Sequence, residues 1–257
     1  MEKISLEFTH DGAVAKITLN DGKGNVLDAV MMNDLHSAFN DFKTNKDIKL
    51  ITFEGAGKHF SFGASVPEHT KGKCTDMLKS FHQLFYELID LSIPTMAKIS
   101  GQCLGGGMEL ALICNFLFAD KTAKFGQPEI ILGVFAPPAS LLLPLKIGCT
   151  KSEDILITGK TIGADDAKSL GLLNYVFDDK EIMETTLEEW IQKNIIPKSA
   201  SSLRYAVKAA RIRFNDVLKT SLPKLEQMYL TGLMETEDAN EGINAFCEKR
   251  SAEWKNR

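Results

Sequence analysis

The sequence predicts an α/β protein in which paired strands alternate with helices up to about Asp179 and helices alone follow. Three observations lead there. Two short runs near the N-terminus alternate apolar and polar residues with a period of two. Buried-type apolar runs then recur between segments of helical periodicity. The last 78 or so residues carry helical spacing with no further strand pattern.

Ile4, Leu6 and Phe8 alternate with polar residues, Asp11-Gly12 supplies a turn, and Ala13, Ala15, Ile17 and Leu19 alternate again, so the chain opens with a hairpin. Asp28 is placed to cap a helix whose apolar positions are Met32, Leu35, Phe39 and Phe42. Leu50 to Phe53 reads as a buried strand. A polar, glycine-containing loop from Glu54 to Lys73 precedes a helix through Phe81, Leu84, Phe85 and Leu88, and Pro94 introduces a strand at Thr95 to Ile99. Short strands are expected at Asn115 to Ala119 and Asn174 to Phe177, with helices at Pro138 to Lys146 and Ala164 to Leu170. Repeated β-β-α units describe this order. Beyond Asp179, Leu203, Val207, Ala210 and Phe214 form an apolar stripe beside Arg204, Lys208 and Arg211, a basic face expected to be solvated. A last helix is expected from about Ala239 to Trp254.

Composition narrows the function. The 257 residues are 44% hydrophobic, enough for a substantial core, and the net charge of −4 gives no general pull toward nucleic acid or an acidic membrane. Five cysteines without a Cys-x-x-Cys pair, and five histidines without metal-ligand spacing, predict a reduced, metal-free cytoplasmic protein. Met1 to His10 lacks the basic and apolar segments of a signal peptide. The longest apolar stretch, Ile130 to Leu145, is interrupted by three prolines and falls short of the roughly 20 residues that span a bilayer. A small-molecule partner is the better expectation.

Chemistry concentrates at Cys103 to Leu110, where three glycines, Gly105 to Gly107, precede an apolar helical run carrying Glu109. Glycine lets a ligand approach the backbone, and the first helical turn offers unpaired N–H groups to developing negative charge. An ionised Glu109 among Met108, Leu110, Ala111 and Leu112 would be costly, so it faces a polar cavity or has a raised pKa. Glu129 follows Gln127-Pro128 and alone reads as a turn residue. Near Glu109 it would divide acid and base work with it. The bend Phe60-Ser61-Phe62-Gly63-Ala64-Ser65 could add a second N–H to an oxyanion hole, worth about 3 kcal/mol per donor in the transition state. His59 and Ser61 lack a nucleophile-elbow context.

Together, Phe60 to Ala64, Gly105-Gly106-Gly107-Met108-Glu109, Gly126-Gln127-Pro128-Glu129 and the tail from Glu241-Gly242 to Arg250 resemble the crotonase superfamily of enoyl-CoA hydratases and isomerases over essentially the whole chain. The resemblance implies a spiral of β-β-α turns over residues 1–195 carrying an acyl-CoA site, and a helical region, 196–257, for assembly into a trimer or a dimer of trimers. It implies an acyl-CoA thioester substrate with no separate cofactor. Ala64 and Gly106 would supply the oxyanion hole, Glu109 and Glu129 the acid–base pair, Ser65 and Val66 substrate contacts, and Lys249 a contact to the CoA of a neighbouring subunit. The sequence departs from the ordinary hydratase pattern at Ser65, at Pro67, and at Ala136-Pro137-Pro138, where Pro137 replaces a glycine and removes an N–H near the water. The Phe60 to Val66 and Gly133 to Pro137 segments look like those of hydratases of cyclic conjugated dienoyl-CoA esters. Hydration of linear 2-enoyl-CoA and double-bond isomerisation are the same-fold alternatives. A non-catalytic RNA-binding role is a third, against which the acidic balance weighs.

Overall fold

The structure, a computed structural model, describes residues 1–257. Strands β1 (Ile4–Thr9) and β2 (Val14–Leu19) form the expected antiparallel hairpin, turning through His10, Asp11 and Gly12. Helix α1 (Ala29–Thr44) begins where Asp28 accepts the Met31 N–H at 3.0 Å. Strand β3 (Leu50–Gly55) is buried along its whole length. A 3-10 turn at Val66–His69, inside what the sequence reads as loop, leads to α2 (Cys74–Leu91). Next come β4 (Thr95–Ile99), β5 (Gln102–Leu104), α3 (Gly106–Leu112), β6 (Phe116–Asp120) and β7 (Lys124–Gly126). A second 3-10 turn, Pro128–Leu132, precedes α4 (Pro137–Ile147), α5 (Cys149–Thr158), β8 (Thr161–Gly163), α6 (Ala164–Ser169) and β9 (Tyr175–Phe177). Four helices finish the chain: α7 (Lys180–Asn194), α8 (Ala200–Ala210), α9 (Ile212–Thr231) and α10 (Glu237–Glu248).

The β-β-α repeat is present as a spiral. The large sheet has the order β1-β2-β3-β4-β6-β9, and a small sheet has the order β5-β7-β8. After its strand in the large sheet, the chain repeatedly adds a second segment to a smaller layer. Thus β4 is followed by β5 and β6 by β7, while after β3 the bridges Ser61 to Cys103 and Leu27 to Ala64 continue the layer. This layer carries the site.

Alternation along the strands divides the core. Ala15, Ile17 and Leu19 of β2, Ile51 and Phe53 of β3, and Ala97 and Ile99 of β4 join the main core with α1 and α2, where Phe39 meets Phe53 edge-on at 6.2 Å. The opposite face sends Val14, Leu50, Met96 and Phe118 against Met183, Leu187 and Ile191 of α7. The same face carries a chain of ion pairs, Lys16 to Glu54 at 2.9 Å, then Lys98, which bridges Glu54 and Glu184. No helix is long and apolar enough to cross a membrane, and all five cysteines are unpaired.

Two expectations about the helical tail are corrected. The final helix stops at Glu248 and does not reach Trp254, because Lys249 turns into the left-handed region at φ 56°. The residues after it fold back: Asp238 accepts the N–H groups of Lys255 and Asn256, and Glu241 accepts those of Glu253 and the Arg250 guanidinium. The basic face at Arg204, Lys208 and Arg211 is also less free than expected. Arg204 donates to the carbonyls of Asn45 and Lys46, and Arg211 to those of Ile113 and Cys114, so two of the three cations cap backbone carbonyls. The apolar stripe breaks at Arg211, between α8 and α9.

Phe53 is fully buried at the centre of the sheet. Phe53→Ala is expected to lower the unfolding free energy by about 3–5 kcal/mol, read as a lower urea midpoint at unchanged slope.

Candidate active site

Neighbouring parallel strands β5 and β7 are in register at Leu104 and Gly126, so the triglycine and the Gln127-Pro128-Glu129 turn leave the small sheet from the same end. The Gly105 N–H, donating to the Gly126 carbonyl at 3.0 Å, extends the pairing by one residue. Gly105 adopts φ 50° and ψ −130°, a conformation that penalises any side chain, and a Cβ there would lie 2.6 Å from Glu129 Oε1. The carboxylate of Glu129 is thus laid directly on the glycine backbone.

The Phe60 to Ser65 bend reaches the same place from the other side. Asn25 Nδ2 donates to the carbonyls of Ala56, His59 and Phe60, and the Ser61 hydroxyl donates to the Asn25 carbonyl while accepting the Gly63 N–H at 3.0 Å. Gly63, at φ 103°, passes so close to the triglycine that a Cβ would sit 2.9 Å from the Leu104 carbonyl and 3.2 Å from the Gly106 nitrogen. The result is two N–H groups side by side. The Ala64 N–H has no acceptor in the chain, and Gly106, first residue of α3, has none within its helix. Ser61 and His59 are committed elsewhere, His59 Nδ1 accepting the Gln102 N–H at 3.1 Å. Neither is arranged as a nucleophile or its base.

Glu109 lies three residues after Gly106 on α3, a helix buried along its whole length, and Oε1 accepts the Ala139 N–H at 2.8 Å. This bond follows from the unusual prolines. Pro137 and Pro138 are the first two residues of α4 and have no N–H, so Ala139 is the first donor that the helix end offers. Burial, and then the charge of Glu129, push the Glu109 carboxyl well above the ordinary carboxylate range, against the smaller opposing effect of the Ala139 N–H. Burial likewise raises Glu129, to about 7. Turned to donate, the Gln127 amide reaches both Glu129 oxygens, at 3.2 and 3.0 Å. Two acids that act on each other in a dry site give up their protons as a pair, one staying protonated while the other ionises.

Glu129, Ala64, Gly63, Gly105 and Val66 line one cavity of about 60 Å³ with Phe62, His69, Leu132, Val134 and Ile243. The structure therefore brings together Ala64, Gly106, Glu109, Glu129 and Val66, with Pro137 buried at the adjoining helix start. Ser65 does not line the cavity; it lies between the lining residues Ala64 and Val66, just before the 3-10 turn, its carbonyl accepting from His69 Nδ1 at 2.9 Å. Lys249 is not brought there. It stands exposed at the C-terminal end of α10, outside the cavity of its own chain. His69, Leu132 and Ile243 were not singled out from sequence; they come from a loop-like segment, an apolar run and the tail, and nothing local marks them. Burial lowers the pKa of His69. No group of three or more His, Cys, Asp or Glu side chains is gathered as metal ligands would be.

The family model described as enoyl-CoA hydratase/isomerase matches residues 9–257, and the chain belongs to this family, in the hydro-lyase class. Among its relatives, the cyclohexa-1,5-dienecarbonyl-CoA hydratase of Thauera aromatica is 43% identical over 99% of this chain and 97% of its own length. A probable enoyl-CoA hydratase of Mycobacterium bovis is 35% identical, with 96% of each chain covered. The crystal structure of an enoyl-CoA hydratase from Mycobacterium avium subsp. paratuberculosis superposes with a TM-score of 0.86 over 99% of both chains; at 20% identity it bears on the fold alone.

The raised Glu129 pKa has a consequence for stability. Between the usual carboxylate pKa of 4.5 and about 7 the folded state holds a proton that the unfolded state has lost, so this residue's contribution to stability falls as pH rises through that window. Glu129→Gln is expected to melt above the wild type at pH 8, by about 2–4 °C per kcal/mol relieved, and to lose that advantage at pH 4.5 in parallel thermal melts.

Proposed function

We propose that this protein adds water to cyclohexa-1,5-diene-1-carbonyl-CoA, giving 6-hydroxycyclohex-1-ene-1-carbonyl-CoA, a step of anaerobic aromatic degradation. The observation that carries the reading is the meeting, at the end of the small sheet, of two interacting carboxyls, buried Glu109 and half-buried Glu129, with the adjacent N–H groups of Ala64 and Gly106. The near full-length similarity to the Thauera aromatica hydratase supports the choice of acyl group, as does the Ala136-Pro137-Pro138 turn.

In the proposed reaction the thioester oxygen accepts from the Ala64 and Gly106 N–H groups, each worth about 3 kcal/mol as negative charge develops there. The ionised carboxylate of the pair removes a proton from water, whose oxygen bonds to C2 of the ring, β to the thioester. The electron pair displaced from C2=C1 enters the carbonyl as a dienolate. The protonated carboxyl then delivers its proton to C5, and the double bond left between C1 and C6 becomes C1=C2 of the product in its own numbering. Overall, one water adds in 1,4 fashion, and no electron acceptor is needed. CoA is part of the substrate, and the reaction as proposed uses no separate cofactor.

The acyl ring would enter between Phe62 and Ile243, which line the cavity. Ser65 and Val66 would border the acyl-CoA channel. In the proposed assembly, a cytoplasmic trimer or dimer of trimers, the exposed Lys249 would contact the CoA of a neighbouring subunit. Hydration of linear 2-enoyl-CoA chains is the second reading, favoured by the relatives named probable enoyl-CoA hydratase.

Incubation with the cyclic dienoyl-CoA and crotonyl-CoA in ¹⁸O-labelled water should give one labelled oxygen in the cyclic product and faster turnover of the ring. Rapid hydration of crotonyl-CoA with no turnover of the diene would overturn the cyclic assignment, and a shifted double bond without label would replace hydration by isomerisation. Glu109→Gln and Glu129→Gln are each expected to lower kcat by about 10²–10⁴-fold while CoA-ester binding persists. Wild-type rates in either variant would remove that residue from the mechanism.

A further inference from the structure

Tyr229, on α9, is 1% exposed, and its hydroxyl has no hydrogen-bond partner. Most buried phenols find a partner, because an unpaired hydroxyl has given up water with nothing in return. The ring packs edge-on against Phe135 with centroids 5.4 Å apart, so it is anchored to the turn that ends in Pro137 and Pro138. Helix α9 packs along α4, the helix whose Ala139 N–H holds Glu109, and burial first, then Cys74 and the charges of Glu129 and Glu109, raise the pKa of the phenol. The phenol therefore stays neutral and keeps a proton to donate.

The first turn of α4 is short of backbone donors. Pro137 and Pro138 have none, and the first available N–H of α4, that of Ala139, is taken by Glu109. A water attacking C2 of the bound ring between the two carboxylates must lose freedom and be aimed, which a fixed polar group beside them would do. We propose that the Tyr229 hydroxyl holds the attacking water between Glu109 and Glu129, taking the place of the backbone donors that Pro137 and Pro138 cannot supply. The inference rests on the reading of the protein as a hydratase. It adds a side chain from the C-terminal helices to the reacting atoms, and it makes the prolines and the tyrosine two halves of one arrangement. The hydroxyl is unpaired in the chain because its partner arrives with the reactants.

The test is Tyr229→Phe, which removes one oxygen and keeps the ring. Three measurements are compared with wild type: kcat for hydration, affinity for the unreactive saturated cyclohexanecarbonyl-CoA, and Tm. The expected result is a fall in kcat of about 10–100-fold, unchanged affinity for the saturated ester, and a Tm equal to or above wild type. An unchanged kcat with a raised Tm would overturn the proposal, leaving the hydroxyl as a packing defect. A fall in kcat matched by an equal loss of ester affinity would also overturn it, since the ring would then serve to shape the pocket. If the wild type hydrates crotonyl-CoA and not the cyclic diene, the assignment of the substrate fails by itself. The same Tyr229→Phe comparison on crotonyl-CoA still decides the role of the hydroxyl.

Discussion

Close backbone approach at the end of the small sheet is the constraint on which the rest of the structure depends. Three segments meet there: the bend at Gly63, the glycines from Gly105, and the turn that bears Glu129. A Cβ on Gly63 would press into the Leu104 carbonyl, and one on Gly105 into the Glu129 carboxylate. Because neither exists, the N–H groups of Ala64 and Gly106 come to lie together without acceptors from the chain. Much of the remaining architecture holds these segments in place, from the Asn25 and Ser61 hydrogen bonds behind the bend to the Leu104–Gly126 register beneath the turn.

That approach also sets the electrostatics. Glu109 and Glu129 would be ordinary carboxylates in water, and burial raises both. A single N–H, that of Ala139, favours ionised Glu109, and Gln127 can offer its amide to Glu129. Such sparse support keeps the pair sharing protons near neutral pH, which is what acid–base work at two atoms of one substrate requires. A more generous set of donors would lock both as carboxylates.

The prolines opening α4 show how one local change propagates. They silence two N–H groups at a helix end, which leaves Ala139 to Glu109 and shifts any further polar contact onto side chains. Phe135, in the segment just before them, packs on Tyr229 of α9, so the C-terminal helices reach into the interior around the site. Ile243 of α10 does so as well, lining the cavity. The helical tail is thus part of the site's wall.

Much was legible in the sequence. The hairpin at Ile4 to Leu19, the Asp28 cap, the buried strand at Leu50 and the glycine run before Glu109 all depend on residues close in the chain, and periodicity or local hydrogen bonding is enough to read them. The family pattern likewise singled out Glu109, Glu129, Ala64 and Gly106 as residues of one site. What local pattern could not supply was anything decided by partners far along the chain. The early end of α10 depends on the tail returning to Asp238 and Glu241, and the capping roles of Arg204 and Arg211 depend on carbonyls more than 90 residues away. Nothing local in the sequence marks Tyr229; only the packed interior shows its hydroxyl buried and unpaired. The sequence by itself determined the order of elements and the chemical groups present. Tertiary structure decided which of those groups lost water and faced one another, because desolvation and charge coupling are properties of a packed neighbourhood and leave no local pattern in the chain.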